Sequence, residues 1–236
     1  MIAIVMRVLG RCRAQLVLFC ACLVVTAACK RDTTSQLPDH PRLTPKVSIR
    51  DVTFRSAALA RNMEYRVISP QSTGRKLLVI YLLHGGGGGY RDWSNYSDVA
   101  SFAESGLLLV MPEGESSYYS NAVDPPRDRF EDYITHDLIA DVESRFPVAT
   151  GRGNRALIGI SMGGFGAVKI ALRHPDLFVF AGGLSSAIDV PRRAFSFKRL
   201  QQSRHYNSIF GPAGSQSRRE NDPFVLVRTA NPENAS

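Results

Sequence analysis

The chain has 236 residues, of which 44% are hydrophobic, and it carries a formal net charge of +8. A chain of this length and composition can bury one substantial core, so it is neither too small nor too polar to fold alone. The length favours a single domain. No nucleic-acid-binding motif accompanies the positive charge, and we predict a site without metal or cofactor.

Residues 1–28 have the order of a secretory signal. Arg7, Arg11 and Arg13 precede an uncharged apolar run over residues 14–28, which is too short to span a bilayer comfortably. Translation could begin at Met1 or at Met6. Removal of this segment would lower the formal charge from +8 to +5, and we expect the protein to be exported.

The end of this signal, Val-Thr-Ala-Ala-Cys at residues 25–29, resembles a bacterial lipobox, with Thr26 where leucine is more usual. In a lipobox the cysteine is lipidated and becomes the first residue of the mature chain. All four cysteines lie within the first 29 residues, so the mature protein would keep only Cys29. We expect a lipid anchor on Cys29 and a location in the cell envelope, periplasmic or at the cell surface. Plain secretion is the alternative.

Residues 29–46 combine prolines with polar residues and are expected to form a mobile tether, followed by one domain over 47–236. Alternating apolar and polar residues predict two strands, at 47–54 and 63–68, as antiparallel neighbours. A continuous apolar run at 76–83 predicts a parallel strand covered on both faces.

Helix and strand patterns alternate through the rest of the domain. This alternation predicts an α/β fold with a mostly parallel sheet flanked by helices. The predicted helices are 91–105, 130–146 and Met162–Arg173, and the further strands are 107–111, 154–160 and 177–184.

A serine flanked by glycines lies between the predicted strand 154–160 and the predicted helix that follows it. Gly159, Ser161 and Gly163 form the pattern G-x-S-x-G, which is typical of a nucleophile elbow when a strand precedes it and a helix follows. An idle serine in a glycine-rich turn is the alternative. The order of elements favours Ser161 as a nucleophile for acyl transfer.

A glycine run, residues 85–89, follows the buried strand at 76–83. Backbone N–H groups in such a loop can approach a ligand without side-chain obstruction, and one of them together with the N–H of Met162 would form an oxyanion hole. His84 precedes the elbow in the chain, whereas the base of such sites follows it. We therefore interpret His84 as a residue that braces the loop.

Four segments together resemble one family. They are Leu82–Gly86, Met111–Gly114, Ile160–Ala167 and His174–Phe178. They are similar to the esterase family that groups esterase D (S-formylglutathione hydrolase), feruloyl and other carbohydrate esterases, and mycobacterial mycolyltransferases.

The resemblance covers roughly residues 47–236 and implies an α/β-hydrolase fold. It also implies a serine esterase or acyltransferase that acts through an acyl-enzyme on Ser161. Gly86 and Met162 would supply the oxyanion N–H groups.

The acid and the base of that family lie on its last two strand ends, after the serine. Only 75 residues follow Ser161. His174 ends the elbow helix, and His205 lies in a basic stretch with no strand before it. Asp189 could serve as the acid, but no base is identified. We expect that the last strands are absent, so that the domain is incomplete and the chain is poorly active or inactive.

The substrate is expected to be a small-molecule or carbohydrate ester. The polar, aromatic loop 113–127 would line one side of the pocket or simply pack against itself. The alternative function is a non-catalytic relative that binds a ligand or acts in adhesion.

Basic residues concentrate near the end of the chain. Solvated surface is the favoured interpretation, and contact with anionic headgroups or substrates is the alternative. These residues are Arg192, Arg193, Lys198, Arg199, Arg204, Arg218 and Arg219.

Overall fold

The computed structural model describes residues 38–72 and 74–230, and within them the chain forms one mixed, mostly parallel sheet. The strand order is β1-β2-β4-β3-β5-β6. β1 pairs antiparallel with β2 and β2 with β4, while β4, β3, β5 and β6 run parallel. The strands are β1 Val47–Ser56, β2 Arg61–Pro70, β3 Leu78–Leu83, β4 Leu107–Pro112, β5 Arg155–Ile160 and β6 Phe180–Leu184.

Helices cover both faces of this sheet, which confirms the predicted α/β architecture. On one face, helices α3 and α4 pack over Tyr81, Leu83 and Val110. On the other, α2 packs over Leu82 and Leu109. The helices are α1 Asp92–Tyr96, α2 Ala100–Ala103, α3 (Phe130–Asp132, Tyr133–Leu138 and Ile139–Arg145), α4 Met162–Arg173, α5 Leu200–Phe210, α6 Gln216–Glu220 and α7 Pro223–Thr229.

The single helix predicted over 91–105 is wrong, because the chain forms α1 and α2 instead. Ser97 is extended, with φ −143° and ψ 162°, and its hydroxyl donates to the Trp93 carbonyl. A serine hydroxyl that bonds nearby backbone competes with helix propagation. The break also leaves Phe102 61% exposed.

Helix α3 confirms the helix predicted over 130–146, with one difference. Its middle part, Tyr133–Leu138, is π-helical. The apolar side chains that predicted the helix are buried in the core. They are Phe130, Tyr133, Ile134, Leu138 and Val142.

Strand β6 forms one edge of the sheet, and it begins at Phe180, later than the predicted start. Within the described residues no strand pairs with its outer side. Its side chains are correspondingly open, since Phe180 is 56% and Leu184 47% exposed. The chain then continues as short helices.

The N-terminal predictions fall largely outside the described residues. The signal segment 1–28 and Cys29 are among them. The last part of the expected tether, 40–46, contacts the domain, because the Arg42 N–H donates to the Ser94 carbonyl at 2.8 Å. None of the helices that the structure describes is long and apolar enough to cross a bilayer.

Candidate active site

Ser161 lies at the turn between β5 and α4 in a conformation that L-amino acids rarely adopt. Its φ is 53° and its ψ is −110°, so the backbone there is strained. Three hydrogen bonds hold it: the Ser161 N–H donates to Leu184 O, and Ser161 O accepts from the N–H groups of Phe165 and Ala187. Hydrogen bonds to β6, to the segment after β6 and to α4 therefore hold this turn in place.

The flanking glycines are required by close backbone contacts. A Cβ on Gly159 would lie 2.2 Å from the carbonyl of Gly163, and a Cβ on Gly163 would lie 2.3 Å from the Leu83 carbonyl oxygen. Distances this short cannot be relieved by rotating a side chain. The G-x-S-x-G spacing thus allows β3, β5 and α4 to meet at one point.

The predicted nucleophile, Ser161, is open to solvent. Ser161 is exposed, and in the described part of the chain its hydroxyl has no hydrogen-bond partner. A serine hydroxyl without an adjacent base is a weak nucleophile. The elbow exposes the Ser161 hydroxyl but does not by itself supply a base for it.

The glycine loop runs directly against the elbow. A Cβ on Gly85 would lie 3.7 Å from Ser161 Cβ, and one on Gly86 would lie 3.8 Å from Met162 Cβ. Among the described residues, neither the Gly86 N–H nor the Met162 N–H has a hydrogen-bond partner. The structure therefore brings together the three residues that were predicted to act together, with two N–H groups free to donate.

His84 is fully buried behind this loop. Its Nδ1–H donates to Gly85 O at 2.8 Å, and in the neutral ring Nε2 accepts from the Gly114 N–H at 2.9 Å. Burial lowers the pKa of His84, but the Glu113 carboxylate, the Gly85 carbonyl and Asp92 together raise it by more, so the net shift is upward. These contacts agree with the interpretation of His84 as a loop brace.

A buried network links the loop after β4 to the elbow helix. The Tyr119 hydroxyl donates to His84 O at 3.2 Å, and the Lys169 ammonium on α4 donates to Tyr119 O at 2.7 Å. Lys169 also pairs with the Glu131 carboxylate on α3. Nothing in the local sequence around these residues indicates this network, because its members are far apart in the chain.

A cavity of about 420 Å³ opens in front of Ser161. The elbow and the glycine loop form one wall. The other wall is formed by the loop after β4 and by the segment that ends in α5. Of these two, the sequence predicted only the loop. The lining residues are Gly86, Gly87, Ser116, Tyr118, Ser161, Met162, Ala187, Arg193, Gln202, His205 and Tyr206.

The far wall of the cavity carries two phenols and a guanidinium. Tyr118 and Tyr206 make an edge contact, with ring centroids 5.6 Å apart. The Arg193 guanidinium donates to the Tyr206 hydroxyl at 2.9 Å and forms two 3.0 Å hydrogen bonds with Asp189. Through these bonds Arg193 lowers the pKa of Asp189.

None of the five histidines is hydrogen-bonded to Ser161. His205 lines the cavity, but its Nε2–H donates to Ser116 O at 2.8 Å. His174 pairs with Glu131 at 2.9 Å, and His136 lies 2.9 Å from the Thr135 hydroxyl. The carboxylate considered as a triad acid, Asp189, is engaged by Arg193. A histidine and acid pair directed at Ser161 is therefore not formed by the described residues.

The sheet order, the elbow and the glycine loop define the class as an α/β-hydrolase. Residues 56–236 match the model of the family described as "Putative esterase". The chain belongs to this family of serine esterases. Solved structures with the same fold include an S-formylglutathione hydrolase from Agrobacterium tumefaciens, with a TM-score of 0.67 and 22% identity over 81% of this chain and 75% of that one.

Curated relatives are similar in sequence over most of this chain. An acetyl esterase of Caldicellulosiruptor saccharolyticus is 26% identical, covering 80% of this chain and 77% of its own length. The diacylglycerol acyltransferase/mycolyltransferase Ag85A of Mycobacterium gordonae is 31% identical over 78% of this chain. The chain spans 57% of the length of that mycolyltransferase.

Proposed function

We propose that the chain is a carboxylic-ester hydrolase or acyltransferase in which Ser161 becomes acylated. The observation that carries this proposal is the strained Ser161 backbone at the start of α4, beside two N–H groups that have no partner among the described residues. A turn held in this way places the hydroxyl at the mouth of a cavity, where a substrate carbonyl can reach it.

The reaction follows from these positions. Ser161 Oγ attacks the ester carbonyl carbon and forms a C–O bond, while the carbonyl oxygen takes up negative charge. The N–H groups of Gly86 and Met162 would bind this oxyanion, and one such donor is worth about 3 kcal/mol of barrier. The leaving alcohol departs with a proton, and water or a second alcohol then takes the acyl group from Ser161.

We also propose that this chain by itself reacts slowly. The hydroxyl of Ser161 has no histidine within hydrogen-bond reach among the described residues, so its proton has no positioned acceptor. In a characterised serine protease, loss of the triad leaves about 10³–10⁴-fold catalysis over water. A residual activity of that order is the expected result here.

A fluorophosphonate probe and a p-nitrophenyl ester assay test both proposals. We expect slow labelling and slow hydrolysis that Ser161→Ala abolishes, with Ser116→Ala as a control serine that lines the same cavity. Labelling that persists in Ser161→Ala would rule out this nucleophile. Hydrolysis at a rate typical of serine esterases with a full triad would rule out the slow reaction.

Ligand binding without turnover is the second candidate function. The site has an open cavity, but no described base faces Ser161. A chain that binds an ester or a sugar with measurable affinity and shows neither labelling nor hydrolysis would favour this role over the enzymatic one.

For the substrate, we propose an ester with a small or aromatic acyl group or a sugar alcohol. Tyr118 and Tyr206 on the far wall offer ring faces and hydroxyls to such groups. Relatives support this range, since one is an acetyl esterase and another is a ferulic acid esterase solved with ferulic acid. Comparison of p-nitrophenyl acetate with methyl ferulate would separate the two acyl classes.

For the location, we propose export and a lipid anchor on Cys29. This proposal rests on the lipobox-like sequence 25–29. Metabolic labelling with palmitate, lost in Cys29→Ser, is the expected result. Equal labelling of both chains would exclude Cys29 as the lipidated residue.

A further inference from the structure

The segment 190–219 combines strong positive charge with exposed apolar side chains. It contains seven Lys or Arg residues and no Asp or Glu. We propose that a patch on this segment, made of Phe195, Phe197, Lys198, Arg199, Leu200 and Arg204, binds the surface of an anionic lipid bilayer. This patch is called the interfacial patch below.

The apolar part of the interfacial patch is unusually exposed. Phe197 is 86% exposed, and Phe195 beside it is 42% exposed. The two rings form an edge contact with centroids 5.1 Å apart. Leu200, at the start of α5, is 37% exposed. An isolated exposed side chain needs no explanation, but three exposed apolar side chains within six residues, two of them in ring contact, do.

The cations of the interfacial patch form no ion pair with any residue that the structure describes. Lys198, Arg199 and Arg204 are exposed, and the described residues offer them no ion pair. Neighbouring arginines differ, because Arg192 pairs with Asp222 at 2.7 Å and Arg193 pairs with Asp189 at 3.0 Å. The charge that surrounds the two phenylalanines is therefore free to attract anions.

A bilayer surface fits both halves of the patch. Phenylalanine and leucine side chains enter the boundary between headgroups and acyl chains, while lysine and arginine remain among anionic headgroups. An acidic polypeptide would match the cations but leaves Phe197 without an apolar environment. The observed pairing of rings and free cations thus favours the anionic bilayer.

The interfacial patch adjoins the cavity of Ser161. Arg199 lines a groove together with Arg193, Gln202 and Tyr206, and the last three also line the cavity in front of Ser161. A chain bound through the patch would therefore hold the rim of its cavity close to the lipid surface. This surface is separate from the reaction at Ser161, so it can be tested whether or not the chain hydrolyses esters.

Tryptophan fluorescence provides a local test, because the chain has a single tryptophan, Trp93. The full chain carries Cys29→Ser in every variant, so that no lipid is attached. Phe197→Trp adds a reporter to the patch. The matched control is Phe102→Trp, which places the same reporter at another exposed aromatic position, 61% exposed, outside the basic segment.

We expect vesicles of phosphatidylglycerol to shift the emission of Phe197→Trp to the blue and brominated lipids to quench it. Vesicles of phosphatidylcholine should have neither effect, and Phe102→Trp should respond like the parent chain. No shift at position 197, or equal shifts at both positions, would overturn the proposal. A response of Phe197→Trp to poly-L-glutamate but not to vesicles would also overturn it, in favour of an acidic polypeptide.

The cations are tested in the Phe197→Trp background. Because each cation near an anionic surface contributes roughly a fivefold factor, Lys198→Gln with Arg199→Gln should raise the lipid concentration for half-maximal shift about 25-fold. The control, Arg55→Gln with Lys76→Gln, removes the same charge from exposed positions outside the segment. It should raise the lipid concentration for half-maximal shift far less. Equal effects of the two double substitutions would show that binding does not depend on the interfacial patch in particular.

Discussion

The ammonium group of Lys169 lies 2.7 Å from the carboxylate of Glu131, and neither side chain is more than 3% exposed. The other Glu131 oxygen pairs with Arg173 and His174 at the end of α4. One carboxylate on α3 thus holds the elbow helix at three positions. Since Lys169 also donates to Tyr119, which reaches His84, the same cluster supports the glycine loop.

Lys169→Met should destabilise the fold by about 3–5 kcal/mol, because it leaves the Glu131 carboxylate buried with one partner fewer. The measurement is urea denaturation followed by circular dichroism. Adding Glu131→Gln to Lys169→Met should recover part of the loss, since the buried charge is then removed as well. Losses that simply add in the double variant would show that the two residues do not interact.

Glu131 should make stability depend on acid pH. Burial by itself would raise its pKa, but Lys169, His174 and Arg173 together hold the pKa well below its usual range. The unfolded chain then takes up the proton first, near pH 4.3, so the stabilisation is fully present above that pH and is lost progressively as the pH falls from there towards the lower pKa of the folded state.

The free energy of unfolding should therefore fall between about pH 5 and pH 3 in the parent chain. Glu131→Gln has no carboxyl group at this position and should show a shallower decline. Urea midpoints measured across this range provide the comparison, and parallel curves for the two chains would contradict the role of Glu131.

Gly163→Ala should cost at least about 2 kcal/mol, because its Cβ would meet rigid backbone rather than a movable side chain. The contact would be 2.3 Å from Leu83 O and 2.6 Å from His84 O. Gly153→Ala is the matched control, since a Cβ there has nothing within 4 Å. Thermal unfolding of the two variants tests whether Gly163→Ala is the more destabilising. Equal melting temperatures would show that the elbow tolerates a side chain.

Ser161→Gly should stabilise the chain while it removes reactivity. Glycine adopts a positive φ without strain, and relief of about 1–3 kcal/mol outweighs its entropic cost of roughly 0.5–1 kcal/mol. Ser161→Ala keeps the strained backbone and should melt close to the parent chain. If Ser161→Gly melted no higher than Ser161→Ala, the φ of 53° would not be a source of strain.

The elbow shows how much a local pattern can predict. The helix Met162–Arg173 has the predicted bounds, and β5 begins at Arg155, one residue after the predicted start. The glycine spacing and the apolar run both involve residues close together in the chain, so they predict the local backbone structure directly. The helix predicted over 91–105 was wrong because one serine hydroxyl competes with the helix, which apolar spacing does not reveal.

The cavity shows what a local pattern cannot predict. Tyr118 and Tyr206 are 88 positions apart in the chain, yet their hydroxyls lie 3.4 Å from each other. The sequence places His205 in a basic stretch with no strand before it, whereas the fold places it on the wall of the Ser161 cavity. Such contacts depend on how α5 packs over the loop after β4.

By itself, the sequence determined the family and the α/β architecture, and it predicted the position of the nucleophile. Each of these depends on residues close together in the chain, where periodicity and glycine spacing act. Only the tertiary structure decided how Glu131 supports the elbow, which side chains face Ser161 and which groups the histidines form hydrogen bonds with. Burial and hydrogen bonding between distant segments control these features, and they arise only when the sheet and its helices have packed.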